Sequence, residues 1–408
     1  MRSFSNHDPR TLSVHAGLEP DPVTGAIAPN VVTASNFAFQ PDGVAFSANL
    51  NPDMTALPFF YSRWTNPTVR QLEQRIAALE GAEDGIATAS GMAAAAALFF
   101  GVLKAGDHVI VSDVCYPGVR ELASDILSDL GIASTAVNLS DLAAVRAAIR
   151  PATKLIHAET PCNPLMRLTD LAALADIARG AGCLLSVDST VATPVATRPI
   201  ELGADIVIHS LTKFINGHGD ALGGMLLGKK SLIEPIRARV AVRLGASLSA
   251  QSAWLILRGV DTLYPRMEAI ERNAQKIAEG LEAHPAIVRV IYPGLASHPQ
   301  ADLARRQMKN FSGMMTFQTK ADPNAVARAI AGEGGTKLVH YAVSLGHQRS
   351  NLVLMRTDEL MQSTFKLEGD ALADYRRYAG DGVFRFSVGL EAPDDVLADL
   401  FSVLDRFR

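Results

Sequence analysis

Lys213 closes the run Ser210-Leu211-Thr212-Lys213, Asp188 lies upstream of it, and Ser90-Gly91-Met92 opens an alanine-rich stretch earlier still. A lysine amine can bond an aldehyde, and a carboxylate can keep a pyridine nitrogen protonated so that the ring accepts electrons. Backbone N–H groups at a helix N-terminus, helped by hydroxyls, can hold a phosphate. Lys213, Asp188, the Gly91 and Met92 amides beside Ser90, and the Ser210 and Thr212 hydroxyls supply each part that a pyridoxal-phosphate site needs. Taken singly, each has a plainer reading as a solvated lysine, a turn cap or a loop entering a helix. It is the combination that shifts the balance.

Other chemistries fit less well. Asn216-Gly217-His218-Gly219-Asp220 lacks the third glycine of a dinucleotide fingerprint and any Gly-Lys-Ser/Thr, so it reads as a turn. Cys115, Cys162 and Cys183 are odd in number and form no Cys-x-x-Cys pair. Neither a disulfide framework nor a metal site is expected, and a reducing cytoplasm fits. Cys115 has no histidine nearby in sequence and reads as a small buried residue.

The elements that must position these residues follow from periodicity. From about residue 66 to 230, helical stretches alternate with short β-rich runs, the pattern of an α/β protein with a mostly parallel sheet flanked by helices. The first helix has Asn66 as cap, Pro67 in its first turn, Val69, Leu72, Ile76 and Leu79 on one face, and Gly81 as its stop. Strands are predicted at His108–Ser112, Lys154–Glu159, Leu184–Asp188 and Asp205–Ser210, with helices at Asp141–Ile149 and Asp170–Ala181. Ligands of open α/β sheets sit at the carboxyl ends of strands, where Glu159, Asp188 and Ser210 would converge. A helix from about Gln251 to Glu282 carries the chain into a smaller C-terminal α/β domain, with strands at Val288–Tyr292, Gly313–Gln318 and Val383–Val388. Residues 1–60 show no clear periodicity and several prolines, so they read as an arm over another surface. The expected divisions are 1–60, 61–260 and 261–408.

Composition narrows the partners. With 408 residues, 48% apolar and 20% charged, the chain can build a large core, and a net charge of −4 leaves no positive surplus for nucleic acid. Met1 to Arg10 has no apolar stretch behind its basic residue, so no signal peptide is expected. Gly85 to Leu103 is uncharged, but it is mostly alanine and is broken by Thr88, Ser90 and Gly91, so a buried loop and helix is expected rather than a membrane span.

Several runs resemble the pyridoxal-phosphate enzymes of cysteine and methionine metabolism: cystathionine γ-synthase, cystathionine γ-lyase, cystathionine β-lyase and methionine γ-lyase. They are Tyr61-Ser62-Arg63 with Asn66-Pro67-Thr68, Ser90-Gly91-Met92-Ala93, Glu159-Thr160-Pro161 with Asn163-Pro164, Val187-Asp188, His209-Ser210 with Thr212-Lys213, Asn216 to Asp220, Leu257-Arg258-Gly259, Ser344-Leu345-Gly346, and Arg385 to Glu391. They span nearly the whole chain in the family's order.

The resemblance implies the fold type I architecture of pyridoxal-phosphate-dependent transferases. It makes Lys213 the Schiff-base lysine and proton carrier, Asp188 the partner of the pyridine nitrogen, and Tyr116 the residue stacked on the ring and a second acid or base. Ser90, Gly91, Met92, Ser210 and Thr212 would surround the phosphate. Tyr61 and Arg63 would reach the phosphate of a neighbouring subunit, which implies a homodimer and usually a dimer of dimers. Arg385 would grip the α-carboxylate of an amino-acid substrate, with Asn163 and Ser344 close by. The reaction implied is γ-elimination from methionine, homocysteine or cystathionine. The alternatives are γ-replacement on an O-acylhomoserine and, of another class, an aminotransferase.

Three departures bear on substrate. Tyr116-Pro117-Gly118 puts glycine where methionine γ-lyases carry cysteine. The usual Ser-Leu-Gly-Gly-x-Glu-Ser reads Ser344-Leu345-Gly346-His347-Gln348-Arg349-Ser350, which sets Arg349 in place of a glutamate. Arg349 would bind an acidic distal group of the substrate or, structurally, pair with an acidic residue such as Asp358. Gln40–Phe60 looks longer than its family counterpart and would wall the entrance.

Overall fold

The computed structural model describes residues 7–408 apart from 42, 46, 52 and 364. Its larger sheet contains β1 (Asp84–Thr88), β2 (His108–Ser112), β3 (Ala133–Val137), β4 (Thr153–Glu159), β5 (Leu184–Asp188), β6 (Ile206–Ser210) and β7 (Gly224–Gly228). They lie in the order β1-β7-β6-β5-β4-β2-β3. Neighbouring strands pair in parallel except where β7 pairs antiparallel with β1 and β6. A smaller sheet contains β8 (Ile287–Ile291), β9 (Met314–Thr319), β10 (His340–Tyr341), β11 (Asn351–Arg356) and β12 (Gly382–Ser387), in the order β10-β11-β12-β9-β8. Its pairs are antiparallel except β10 with β11.

Helix ends follow local chemistry. Asn66 Oδ1 accepts the Thr68 and Val69 amides at 3.0 and 3.3 Å, and Gly81 turns left-handed after Pro67–Glu80. Asp141 and Asp170 cap Leu142–Ala148 and Leu171–Ala181 in the same way. The helix expected over Gln251–Glu282 is two, Ala250–Asp261 and Leu263–Glu282, which break at Thr262. The arm is also more structured than its sequence suggests. Pro9–His15 forms a helix that buries Leu12 and Ala16 against Val69, Leu72 and Ile76.

The expected loop at the start of Gly85–Leu103 is instead β1. Gly85 stands opposite Leu227, and a Cβ on Gly85 would sit 2.6 Å from that leucine's Cδ2, so the larger side chains of β7 fill the space. Asp84, Gly85 and Ala87 leave only Ile86 and Thr88 to favour a strand, too few to mark one by themselves. The helix that follows, Gly91–Val102, packs into the core. Among the described residues, no helix is long and apolar enough to cross a membrane.

A buried charge cluster ties this edge of the sheet together. Arg237 is 2% exposed and contacts Glu73, Asp84 and Glu234 at 2.9, 3.3 and 2.8 Å. Glu73 also accepts the Ala87 amide of β1 at 2.9 Å, and Glu234 accepts the Met54 amide at 2.8 Å. Of the segment Gln40–Phe60, residues 42, 46 and 52 lie outside the described residues. Ala48, Met54 and Phe60 pack with Trp64 and Val242.

Candidate active site

The carboxyl ends of β4, β5 and β6 and the start of the Gly91–Val102 helix enclose a cavity of about 210 Å³. Ser90, Gly91, Met92, Tyr116, Glu159, Asn163, Asp188, Ser210, Thr212 and Lys213 line it, together with Thr190, Val191, Leu222 and Leu345. The parallel strands explain this convergence. Their equal direction brings Glu159 into register with Asp188, and β6 lies alongside β5.

Gly91 is required by contact. A Cβ there would lie 2.8 Å from Ser210 Cβ and 3.0 Å from Ser210 Oγ. Ser90 Oγ accepts the Ala93 amide at 3.1 Å, and Ser90 O takes the Ala94 amide. The Gly91 and Met92 amides remain as the helix-start donors that no helix carbonyl can reach. Thr212 Oγ1 contacts Gly223 N and O at 3.1 and 3.2 Å, which closes the loop around Lys213.

Lys213 follows β6 in a turn fixed by Lys213 N to Ser210 O at 3.2 Å and Gly217 N to Lys213 O at 2.8 Å. Arg266, absent from the sequence reading, secures that turn by donating to Phe214 O, Ile215 O and Gly259 O at 2.8, 3.0 and 2.8 Å. Burial, then the nearby Arg385 charge, pushes the Lys213 amine down to about 8. Its Nζ lies 2.8 Å from Ser344 Oγ.

Asp188 Oδ1 accepts the Thr190 amide at 2.9 Å. Glu159 accepts the Tyr116 and Asn163 amides, each at 2.7 Å, so one carboxyl sets two cavity-lining residues. Burial, and next the charge of Asp188, pushes Glu159 up to about 8. Tyr116 is half exposed on the rim, and a side chain at 118 would require its ring and Met92 to shift. A Cβ on Gly118 would lie 2.8 Å from Tyr116 Cε1.

Arg385, on β12, donates to Ser344 O at 2.9 Å and reaches Asn163 Oδ1 at 3.4 Å, which leaves further N–H donors for a carboxylate. Burial lowers its pKa, and Tyr116 and Glu159 oppose that shift. The loop joining Ser344 to β11 brings in a residue that the sequence reading quoted but gave no role. His347 Nε2 lies 3.4 Å from Ser344 Oγ.

Ser344 and Arg385 are not among the cavity's lining residues but border it through Lys213 and Asn163, and three further expected residues stand apart from it within one chain. Tyr61 and Arg63 line a separate hollow with Phe39, Phe60 and Trp64, where Arg63 donates to Val242 O and its guanidinium lies 5.2 Å from the Tyr61 ring centre. Arg349 is exposed and is not among the cavity's lining residues. Asp358, its suggested partner, pairs with Arg376 at 2.6 Å instead. The flanking Ser350 is held by Glu391, through its amide at 2.7 Å and its hydroxyl at 2.9 Å. Cys115 is buried, and burial raises its pKa well above the ordinary value. Among the described residues, no cluster of His, Cys, Asp or Glu is gathered as a metal would require.

The residues present therefore fit pyridoxal phosphate: a glycine-lined helix start beside two hydroxyls, a carboxylate at a strand end and a half-buried lysine share one cavity. The family described as Cys/Met metabolism PLP-dependent enzyme matches residues 10–405. The chain is 40% identical to a canavanine γ-lyase of Pseudomonas canavaninivorans over 99% of its length and 98% of the relative's. It is 39% identical to a cystathionine γ-lyase of Bacillus subtilis over 97% and 99% of the two lengths. A solved cystathionine γ-synthase from Xanthomonas oryzae pv. oryzae superposes with a TM-score of 0.87 at 34% identity, covering 98% of each chain.

Proposed function

The chain belongs to the Cys/Met metabolism PLP-dependent enzymes, and from that premise we propose that it is a carbon–sulfur γ-lyase. It would convert methionine, homocysteine or cystathionine to a 2-oxoacid, ammonia and a thiol. The observation that carries this reading is the Lys213 amine, pushed down to about 8 and set on one cavity with Asp188 and Tyr116. The similarity to two γ-lyases favours elimination. The similarity to a cystathionine γ-synthase supports the runner-up, transferase chemistry by γ-replacement on an O-acylhomoserine. The aminotransferase alternative draws no support from these whole-chain matches.

Pyridoxal phosphate, when bound, supplies an electron sink for the charge left at Cα. Lys213 would attach it, Asp188 would hold its ring nitrogen, Tyr116 would cover its ring, and Gly91, Met92, Ser210 and Thr212 would hold its phosphate. As a free amine, Lys213 would take the proton from Cα and then move one from Cβ, and Tyr116 would assist as acid or base. Arg385 holds the α-carboxylate, with Asn163 and Ser344 beside it, so that Cα and Cβ stay within reach of one amine.

Tyr61 and Arg63 would complete the phosphate site of a second copy of this chain, consistent with their separation from the Lys213 cavity. On this reading the arm 1–60 contacts a neighbour, 61–260 holds the cofactor, 261–408 holds the α-carboxylate, and the enzyme is a cytoplasmic dimer of dimers. The deciding assay offers methionine, homocysteine, cystathionine, canavanine and O-acylhomoserines with and without added thiol. Release of 2-oxoacid and ammonia from a sulfur amino acid, with no amino acceptor, supports the lyase. Turnover only of the esters, and only with thiol, establishes the runner-up.

A further inference from the structure

The hydrogen bond between Lys213 and Ser344 can run in either direction, and the direction matters. A neutral amine has one lone pair, and that pair attacks a carbonyl carbon or takes a proton. If the Ser344 hydroxyl donates to Lys213 Nζ, the pair is occupied. If it donates elsewhere, Oγ accepts an N–H from Nζ and the pair stays free. Among the described residues, the hydroxyl has two hydrogen-bond partners, Lys213 Nζ at 2.8 Å and His347 Nε2 at 3.4 Å.

We propose that His347 is a positioning residue whose Nε2 accepts a hydrogen bond from the Ser344 hydroxyl and thereby keeps the Lys213 lone pair available. The proposal rests on Lys213 being the residue that attaches the cofactor. The Ser344–His347 contact is long for a hydrogen bond, as such contacts often are before a ligand closes a site.

The loop is built to hold this arrangement. Ser344 lies in the left-handed region at φ 75°, with its carbonyl oxygen held by Arg385 at 2.9 Å. Gly346 N donates to Ser387 Oγ at 2.8 Å, and Gln348 N donates to Gly217 O at 2.9 Å. The imidazole rests on Gly219, where a Cβ would come within 3.1 Å of the ring.

The surroundings also keep the imidazole neutral and able to accept. Burial, then the Lys213 charge, lowers its pKa. Of the polar groups nearby, Arg349 is exposed, Asp220 binds the Asn216 amide at 2.9 Å, and His218 binds Asn216 O at 2.7 Å. Among the described residues, no carboxylate pairs with the His347 ring. The family motif quoted above has glycine at this position, so His347 departs from it.

The test measures how fast pyridoxal phosphate attaches to the full-length chain stripped of cofactor, followed by absorbance. His347→Gly should slow attachment by roughly threefold to tenfold, the worth of one hydrogen bond. His347→Gln, whose side-chain oxygen can accept from Ser344, should recover most of the rate. No slowing in His347→Gly, or equal slowing in both variants, overturns the proposal. Nitrogen-15 NMR of the unmutated chain gives a second readout that needs no variant to fold: an unprotonated His347 Nε2 is expected, and a protonated one overturns the proposal. Borohydride reduction followed by peptide mapping separates the two levels. An adduct away from Lys213 refutes the site assignment, whereas an adduct on Lys213 with no effect at His347 refutes only the positioning role.

Discussion

Glu159 and Asp188 stand opposite each other as the last residues of β4 and β5, two carboxylates side by side at the edge of one cavity. Burial of Glu159, and next the neighbouring Asp188 charge, disfavour its ionised form, and Glu159 is pushed up from 4.5 to about 8. It nonetheless takes amides from both Tyr116 and Asn163.

The sign of the resulting pH dependence follows. Between 4.5 and about 8 the folded chain holds a proton on Glu159 that the unfolded chain has lost. The stability contributed by this group is therefore fully present below 4.5 and declines as pH rises through about 8. Glu159→Gln should flatten that decline in denaturant unfolding of the cofactor-free chain. It should also cost about 1–3 kcal/mol, because an amide oxygen replaces only one of two acceptors. An unchanged pH slope would assign the decline to another group.

Lys213 gives a kinetic counterpart. With its amine pushed down to about 8, attachment of pyridoxal phosphate should accelerate about tenfold per pH unit below that value and level off above it. A rate still climbing toward 10.5, the ordinary lysine value, would show an unshifted amine. Lys213→Ala should abolish attachment and turnover together, and a borohydride-reducible adduct surviving in that variant would exclude this lysine.

Gly91 and Ser210 make a paired test. Gly91→Ala places a methyl 2.8 Å from Ser210 Cβ and should weaken cofactor binding by roughly one order of magnitude or more, since overpacking costs about 1–3 kcal/mol. Adding Ser210→Gly removes the two nearest atoms, Cβ and Oγ, and should recover part of the loss, as titration with pyridoxal phosphate would show. If the two losses simply add, the contact is not the cause.

Arg63 tests the shared site. Subunits carrying Arg63→Ala and subunits carrying Lys213→Ala should each be inactive. Mixed under conditions of subunit exchange they should regain activity, because a hybrid contains one intact site. Exchange demonstrated by mass, without recovery, would mean that Arg63 serves its own chain.

Legibility in the sequence followed the range of the interactions. Lys213, Asp188, Ser210 and the Ser90-Gly91-Met92 run stood out because each carries a local signal at the end of a β-rich run or the start of a helix. Strands rich in Val, Ile and Leu, such as His108–Ser112, announced themselves, whereas Asp84–Thr88 owes its strand to the neighbour that covers it. Thr262 interrupts a helical pattern that stays apolar on both sides, so periodicity alone ran straight through it. The double grip of Glu159, the support from Arg266 and the placing of His347 depend on tertiary contacts. Ser344 meets Lys213 across 131 residues, a separation that no local pattern reports.

The charge cluster around Arg237 has a consequence for how the chain can drift. Removing one partner of a buried ion pair strands the rest at a cost of about 3–5 kcal/mol, while exchanging the whole set for well-packed apolar residues is often neutral. Glu73, Asp84, Glu234 and Arg237, with Arg70 paired to Glu73 at 2.8 Å and to Asp84 at 2.5 Å, thus form one set in which a change at any position is felt at the others. Descendants can keep it or replace it wholesale, but stepwise routes between the two pass through poorly folded intermediates.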